Sequence, residues 1–409
     1  MDFEPFGEAF LADPYAAFAR HRRDHPVFYA EAIDYWVISR YEDCRRALSD
    51  FETFSASNTL SSVTPPSRAA AKLLADGGFR PVPTITNVDP PAHNRTRPIA
   101  QMAFIPRRVA AMEAFVRRLV RDYLDDHLRS GRSDIVAELT WELPALVLFE
   151  ILGLPAADVG LIKEGGKSRL LFMFGRASED EQLAIAESNL RFWRYCEALA
   201  EDRRAHRRDD FSSDLVHALD ESGKPLSQAE VSTMLFGLLL AGHETTTNLL
   251  GNGLFRLLED RARWEAIRAD PGLIPNAVEE ILRYDSSVIH WRRRTRVPVE
   301  LSGTKIPAEA NVLVALGAAN RDPSVFPDPD VFDLRRENAR KHLSFGFGRH
   351  LCAGAPLARL EARVVFEELT RLRPDLRLVP DQLLEYMPIL AFRGPKQLWV
   401  ETTGPEGER

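Results

Sequence analysis

The chain has 409 residues, a formal net charge of −7 and 45% hydrophobic residues. That acidic balance argues against nucleic acid as the main partner, and the apolar share is enough for a large core. Cys44, Cys196 and Cys352 are too few and too scattered for a disulfide framework, which points to a reducing compartment.

Met1 to Pro5 shows neither the positive start nor the apolar core of a signal peptide. Pro14 to His25 reads as a first helix, Val27 to Tyr29 and Tyr35 to Ser39 as short strands, and Tyr41 to Ser49 as a second helix. Asn58 to Ile85, rich in Ser, Pro, Gly and Thr, reads as a long loop with little regular structure, and such loops in compact domains are usually functional. Helices dominate from Pro91 to about Ala269. Ser227-x-x-Glu230 forms a capping box ahead of a helix from Gln228 to Leu258. Its most apolar run, Met234 to Gly242, is far shorter than the roughly 20 residues of a membrane span, so the expectation is a cytoplasmic chain with no membrane partner. A short helix begins near Pro275, and Arg294 to Leu316 reads as short strands around Ser302-Gly303. Asp322 to Asn338, with Pro323, Pro327 and Pro329, is irregular. No linker or repeat divides the sequence. The expected fold is mainly α, of α+β type: a single domain over 1–409, with a large helical part and a smaller β-rich region.

The most informative segment runs Phe345-Gly346-Phe347-Gly348-Arg349-His350-Leu351-Cys352-Ala353-Gly354. It sets one cysteine in a glycine-rich loop directly before a helical run, Ala355 to Arg371. A thiolate there meets unpaired backbone N–H groups, and the glycines let a large flat partner approach. Those are the needs of a haem iron held by an axial cysteine. A dinucleotide fingerprint fails because its last position is Leu351, and a zinc site lacks further ligands. A Cys–His hydrolase would need His350 and Cys352, neighbours on one loop, to act as a pair, which adjacent loop side chains rarely do. The loop resembles that of the cytochrome P450 superfamily, F-x-x-G-x-[HR]-x-C-x-G, with His350 in the basic position.

The remaining motifs fall into place beside that resemblance. Ala241-Gly242-His243-Glu244-Thr245 interrupts the long helix; Gly242 there costs roughly 1 kcal/mol relative to Ala, which close approach of a ligand would offset. It resembles the [AG]-G-x-[DE]-T oxygen-activation motif, which implies that Glu244 and Thr245 relay protons and that Ala241 and Gly242 border the haem. Glu280 and Arg283, at i, i+3 on one helix, resemble the E-x-x-R pair, with Arg336 of Asp333-Leu334-Arg335-Arg336 as the favoured third member and a structural role. His93 and Arg97 share a helix face; the resemblance gives them to the haem propionates, joined by His350 and by Arg293 of the Arg292-Arg293-Arg294 cluster. Phe345, Gly346 and Gly354 would border the cofactor, and Cys352 would bind iron.

The substrate chamber is expected from three places. Phe79, Val82 and Ile85 lie in the long loop, and Leu171, Phe172 and Met173 close a helix above the haem. Ile289 and His290 follow the E-x-x-R helix, with Ile389 and Leu390 in a C-terminal hairpin. The resemblance spans nearly the whole chain and is nearest to haem domains of self-sufficient bacterial P450s fused to a phthalate-dioxygenase-type reductase. It implies haem b, with no flavin or NAD(P)H site in this chain. It also implies O2, a small aromatic or apolar organic substrate that is hydroxylated or O-dealkylated, and electrons from NAD(P)H through a ferredoxin and its reductase or a fused FMN/2Fe–2S module. No flavin or iron–sulfur module follows Arg409, so the chain is expected to be an excised haem domain or a stand-alone relative. Two departures stand out: Ala308-Glu309 replaces a usual Ala-Gly turn, and His290 stands where a small residue is common. A peroxide-driven haem-thiolate enzyme and a non-catalytic haem gas sensor are the rival readings. The Glu244–Thr245 pair argues against both.

Overall fold

The computed structural model describes residues 3–403. Nine helices carry the description: α1 (Pro14–Asp24), α2 (Ala92–Gln101), α3 (Pro106–Asp126), α4 (Leu143–Leu152), α5 (Val159–Phe174), α6 (Glu179–Ala205), α7 (Gln228–Leu258), α8 (Ile274–Tyr284) and α9 (Ala355–Leu372). Their ends follow local chemistry. The carboxylate of Asp13 accepts from the Tyr15 N–H ahead of α1, and Pro106 opens α3, where its missing N–H costs nothing. Ser178 and Ser227 close full capping boxes with Glu181 and Glu230.

α7 is the axis of the molecule. Leu235, Leu239, Leu249, Leu250 and Leu254 along it are all buried, and α4, α5, α6, α8 and α9 pack around it. A helix so apolar on all sides belongs in a core. α3 lies along α9, joining Val116 and Val120 to the same cluster as Val364 and Val365.

The β region is a five-stranded sheet in the order β1-β2-β8-β5-β3, built from β1 (Val27–Ala30), β2 (Tyr35–Ile38), β3 (Phe54–Ser55), β5 (Trp291–Thr295) and β8 (Asn311–Val314). Only β2 and β8 run parallel, with Val37 opposite Leu313. A three-stranded sheet joins β4 (Gly131–Asp134), β10 (Trp399–Thr402) and β9 (Arg377–Leu378), and β6 (Val299–Leu301) pairs with β7 (Thr304–Ile306). Ser302 and Gly303 between the last two both take positive φ, as a type I′ hairpin turn requires.

Three expectations need correction. The long loop contains a helix, Arg68–Asp76, capped by Ser67; flanking Pro and Gly mask its Ala/Leu-rich run. β4 interrupts the helical region because β10, more than 260 residues later, supplies its partner. Ile389 and Leu390 sit in no regular hairpin: that segment is held by isolated bridges, Val288 to Phe392 and Tyr386 to Pro395, and by the Leu390 N–H donating to the Phe174 carbonyl (2.8 Å).

Candidate active site

Gly346 and Gly348 both take left-handed φ (73° and 71°), and a Cβ on Gly348 would stand 3.0 Å from the Ser49 backbone. The loop can therefore lie flat against the helix Tyr41–Ser49 only with glycine there. It closes through the Cys352 N–H, which donates to the Phe345 carbonyl at 2.9 Å. A Cβ on Gly354 would come within 4.0 Å of the Cys352 sulfur. Burial pushes the Cys352 thiol up, while the N–H groups of Gly354 and Ala355 and the charges of Arg97 and Arg359 pull it down. Cys352 nevertheless keeps open surface, as a side chain does when it faces an interior space rather than bulk water.

Two adjacent acids on α8 brace this loop. Glu280, wholly buried, accepts from Arg283 Nε and Nη2 (both 2.7 Å), from Arg336 Nε (3.1 Å) and from the Asp333 N–H (2.9 Å). The free nitrogens of both arginines then donate to carbonyls of the irregular segment, Pro329 and Pro327 among them. Glu279 faces the other way. It receives Arg359 Nε (2.7 Å) and lies 3.1 Å from His342 Nε2, and these partners hold its carboxyl down at about 2. Arg359 stacks on Phe345 (4.6 Å), so this second clamp grips the cysteine loop itself. The Glu279 cluster was missed in the sequence, although Glu279 sits beside the motif acid.

A cradle of basic groups lies on the other side of the loop. The rings of His93 and His350 are 4.4 Å apart, and His350 Nδ1 meets the Ile85 carbonyl at 3.2 Å. Arg97 donates to the Leu351 carbonyl. Arg293 is buried, and its Nη1 donates to the Arg292 carbonyl (2.8 Å). His93 Nε2, His350 Nε2 and Arg97 Nε are buried without a hydrogen-bond partner. Burial and mutual repulsion hold His350 down at about 3, and burial holds Arg293 at about 10. Asp89, whose charge acts on His93, His350 and Arg293, is itself bound to Ser55, Ala56 and Arg296. Such a cluster fits a ligand bringing two carboxylates. Its neighbours Arg292 and Arg294 point elsewhere, to the Thr59 and Ser61 carbonyls and to Glu309. Glu309 takes the left-handed turn position (φ 60°) where the Ala-Gly pattern would place glycine.

On α7, Ala241 is exposed and Gly242 and Thr245 are not buried, although residues 238–240 and 246–254 are. Thr245 Oγ1 donates to the Ala241 carbonyl (3.0 Å). Gly242 serves a different contact from the one expected: a Cβ there would strike Leu148 of α4 at 2.8 Å, so helix packing accounts for it. Glu244 turns away from Thr245 into a buried corner. Lys163 of α5 holds its Nζ 3.7 Å from Glu244 Oε2, 3.4 Å from Thr247 Oγ1 and 3.6 Å from the centre of the Trp141 ring. Burial raises the Glu244 carboxyl and Lys163 pulls it back; burial lowers Lys163 itself to about 8. A cavity lined by Glu244, Lys167, Asn248, Ile389 and Lys396 adjoins the acid. Lys163 was not anticipated, and an isolated lysine on a helix carries no signal in sequence.

The cytochrome P450 family model matches residues 268–372, the stretch with both glutamates and the cysteine loop. The cytochrome P450 monooxygenase PikC of Streptomyces venezuelae is 38% identical over 406 residues, covering 97% of this chain and 93% of that protein. The chain belongs to the cytochrome P450 family. It is a P450 monooxygenase, and its cofactor is haem b. Two solved P450 structures are similar throughout. One is cytochrome P450 CREJ in complex with (4-ethylphenyl) dihydrogen phosphate, with TM-score 0.94 and 37% identity, covering 98% of this chain and 99% of that one. The other is an intact type IV self-sufficient P450 monooxygenase, with TM-score 0.93 and 38% identity, covering 98% of this chain and 53% of that longer one.

The residues expected around a P450 substrate divide into two groups. Phe79, Val82, Ile85 and Leu171 are not fully buried. Phe172, Met173, Ile289, Ile389 and Leu390 are buried core residues, with Ile389 also facing the cavity beside Glu244. His290 is not brought to the site. Its ring lies among Phe3, Phe10 and Phe18, and its Nδ1 donates to the Leu390 carbonyl (2.7 Å). The N-terminal phenylalanines close around it, a long-range contact that no local pattern announces. Among the described residues, no helix is long and apolar enough to cross a membrane.

Proposed function

We propose that Cys352 would hold the iron of haem b and that the chain hydroxylates or O-dealkylates a small aromatic substrate. In this reading NAD(P)H supplies electrons through a ferredoxin system or a fused FMN/2Fe–2S reductase. One observation carries the assignment: an inward-facing cysteine at a helix N-terminus, beside a basic cradle whose buried nitrogens have no acid of their own. The ligand carried by CREJ supports an aromatic substrate, and the self-sufficient structure supports a reductase partner of the fused type.

When bound, haem b supplies dioxygen activation and transfer of one oxygen atom to substrate. The Gly354 and Ala355 N–H groups oppose the burial that pushes the Cys352 thiol up, and so favour negative charge on the sulfur. Arg293, Arg97, His350 and His93 would hold the propionates and so orient the cofactor. Ala241, open on α7, lets a flat ligand lie against the helix. Burial biases Glu244 towards its neutral form against the pull of Lys163, which suits it to hold and hand on a proton, and the adjoining cavity gives a route for protons from solvent. The Thr245 hydroxyl, now donating to the Ala241 carbonyl, can rotate to pass a proton inward.

The test is the absorbance of the dithionite-reduced, CO-bound protein. A thiolate-type spectrum is expected for the wild type, with its loss in Cys352→Ser at unchanged circular dichroism. A variant that kept the thiolate signature would remove Cys352 from this role.

A further inference from the structure

Among the described residues, Arg169 has no acid or hydrogen-bond acceptor to explain it. It lies on α5, three residues after Gly166, whose missing side chain admits His243 of α7. One turn beyond that crossing, its guanidinium stands 5.4 Å from the centre of the Phe79 ring and 5.7 Å from that of Phe172. Its Nε is buried and unsatisfied, and among the described residues it makes no ion pair or hydrogen bond. Burial, together with repulsion from a second cation, Arg292, lowers it to about 10.

Arg292 is itself buried, stacked on Phe174 (4.3 Å), with an unsatisfied Nε and with the Thr59 and Ser61 carbonyls and the Tyr35 hydroxyl, but no carboxylate, as its acceptors among the described residues. Other arginines in the interior of this chain are satisfied: Arg203 by Asp210 (2.7 Å), Arg283 by Glu280 (2.7 Å), Arg256 by Asp285 (2.8 Å) and Arg373 by the Leu124 and Leu128 carbonyls. Two neighbouring guanidiniums without a carboxylate are costly unless something anionic joins them. The surrounding chain leads to the reaction site. From Phe79 the loop runs to Val82, whose N–H donates to Thr233 of α7, and to Ile85, which binds His350 of the cradle.

We propose that Arg169, backed by Arg292, receives the carboxylate or phosphate-ester group of an anionic aromatic substrate whose ring lies against Phe79 and Phe172. This deepens the monooxygenase reading and rests on it. A guanidinium fork pairs with either oxyanion through two parallel N–H bonds, and the flanking rings exclude water and strengthen the pair. The anchored end fixes which carbon of the ligand can be presented for oxidation.

Ferric holoenzyme at low ionic strength is titrated with 4-ethylbenzoate, 4-ethylphenyl phosphate and the neutral methyl 4-ethylbenzoate, reading both the Soret spin-state shift and the heat of binding. At least one anion is expected to bind about tenfold or more tighter than the ester, a difference of about 1.4 kcal/mol. The tighter of the two anions names the headgroup. Arg169→Leu should erase that preference, and Arg169→Lys should keep part of it. Equal affinities for anions and ester in the wild type, or an intact preference in Arg169→Leu, would overturn the proposal. A thiolate-type CO spectrum without anion preference would defeat this inference alone and leave the haem-thiolate reading standing.

Discussion

Two charged clusters flank the cysteine loop, and they are built on opposite terms. Around Glu280 each buried charge has a partner and each spare nitrogen a carbonyl, so the cluster is complete within the chain. Around Arg293 and His350 the groups are basic without an acid bonded to them, and several buried nitrogens bond to nothing. A satisfied network fixes shape; an unsatisfied one of the same depth is stored affinity, paid for in stability.

Substitutions should therefore move the two regions in opposite directions. Glu280→Gln leaves two buried arginines without their acid and should destabilise the protein by about 3–5 kcal/mol in urea denaturation. A loss below about 1 kcal/mol would mean that this cluster is not the closed brace it resembles. Arg293→Leu should do the reverse in the haem-free protein, raising its stability by about 1 kcal/mol. In the holoprotein it should speed haem transfer to an acceptor globin by about tenfold or more, because a charge-assisted bond to the cofactor is lost. A more stable apoprotein together with faster haem loss is the signature; a loss of apoprotein stability would erase the contrast.

The smallest effect concerns His290, a buried neutral base outside both clusters. Burial holds it at about 4 in the folded chain against 6.5 when exposed. Between those values only the unfolded chain takes up the proton, so stability rises with pH across the window and falls as pH drops through it. His290→Gln should lower the proton uptake on unfolding between pH 4 and 6.5 by about one. An unchanged slope would show that His290 is already charged when folded.

What could be read from sequence follows from distance along the chain. The cysteine loop, the Glu280–Arg283 pair and the bounds of α7 depend on neighbours a few residues apart, and the structure shows them at those positions. Choosing among three consecutive arginines was harder. Strand alternation sets Arg293 on the face opposite Arg292 and Arg294, but only the fold says which face meets His350. Lys163 beside Glu244, Leu148 of α4 against Gly242 of α7, and the phenylalanines around His290 all come from remote segments.

The two clamps on α8 have a consequence for assembly. Glu279 and Glu280 gather Asp333, Arg336, His342 and Arg359, so the thiol-bearing side is tied together within residues 279–359. The residues proposed to face the substrate, Phe79, Arg169, Thr245 and Ile389, are spread over more than 300 positions. Loop-closure entropy weighs less on the first than on the second. During folding, the cysteine should be presented early on a nearly finished floor, while the roof is still open enough to admit a large planar cofactor.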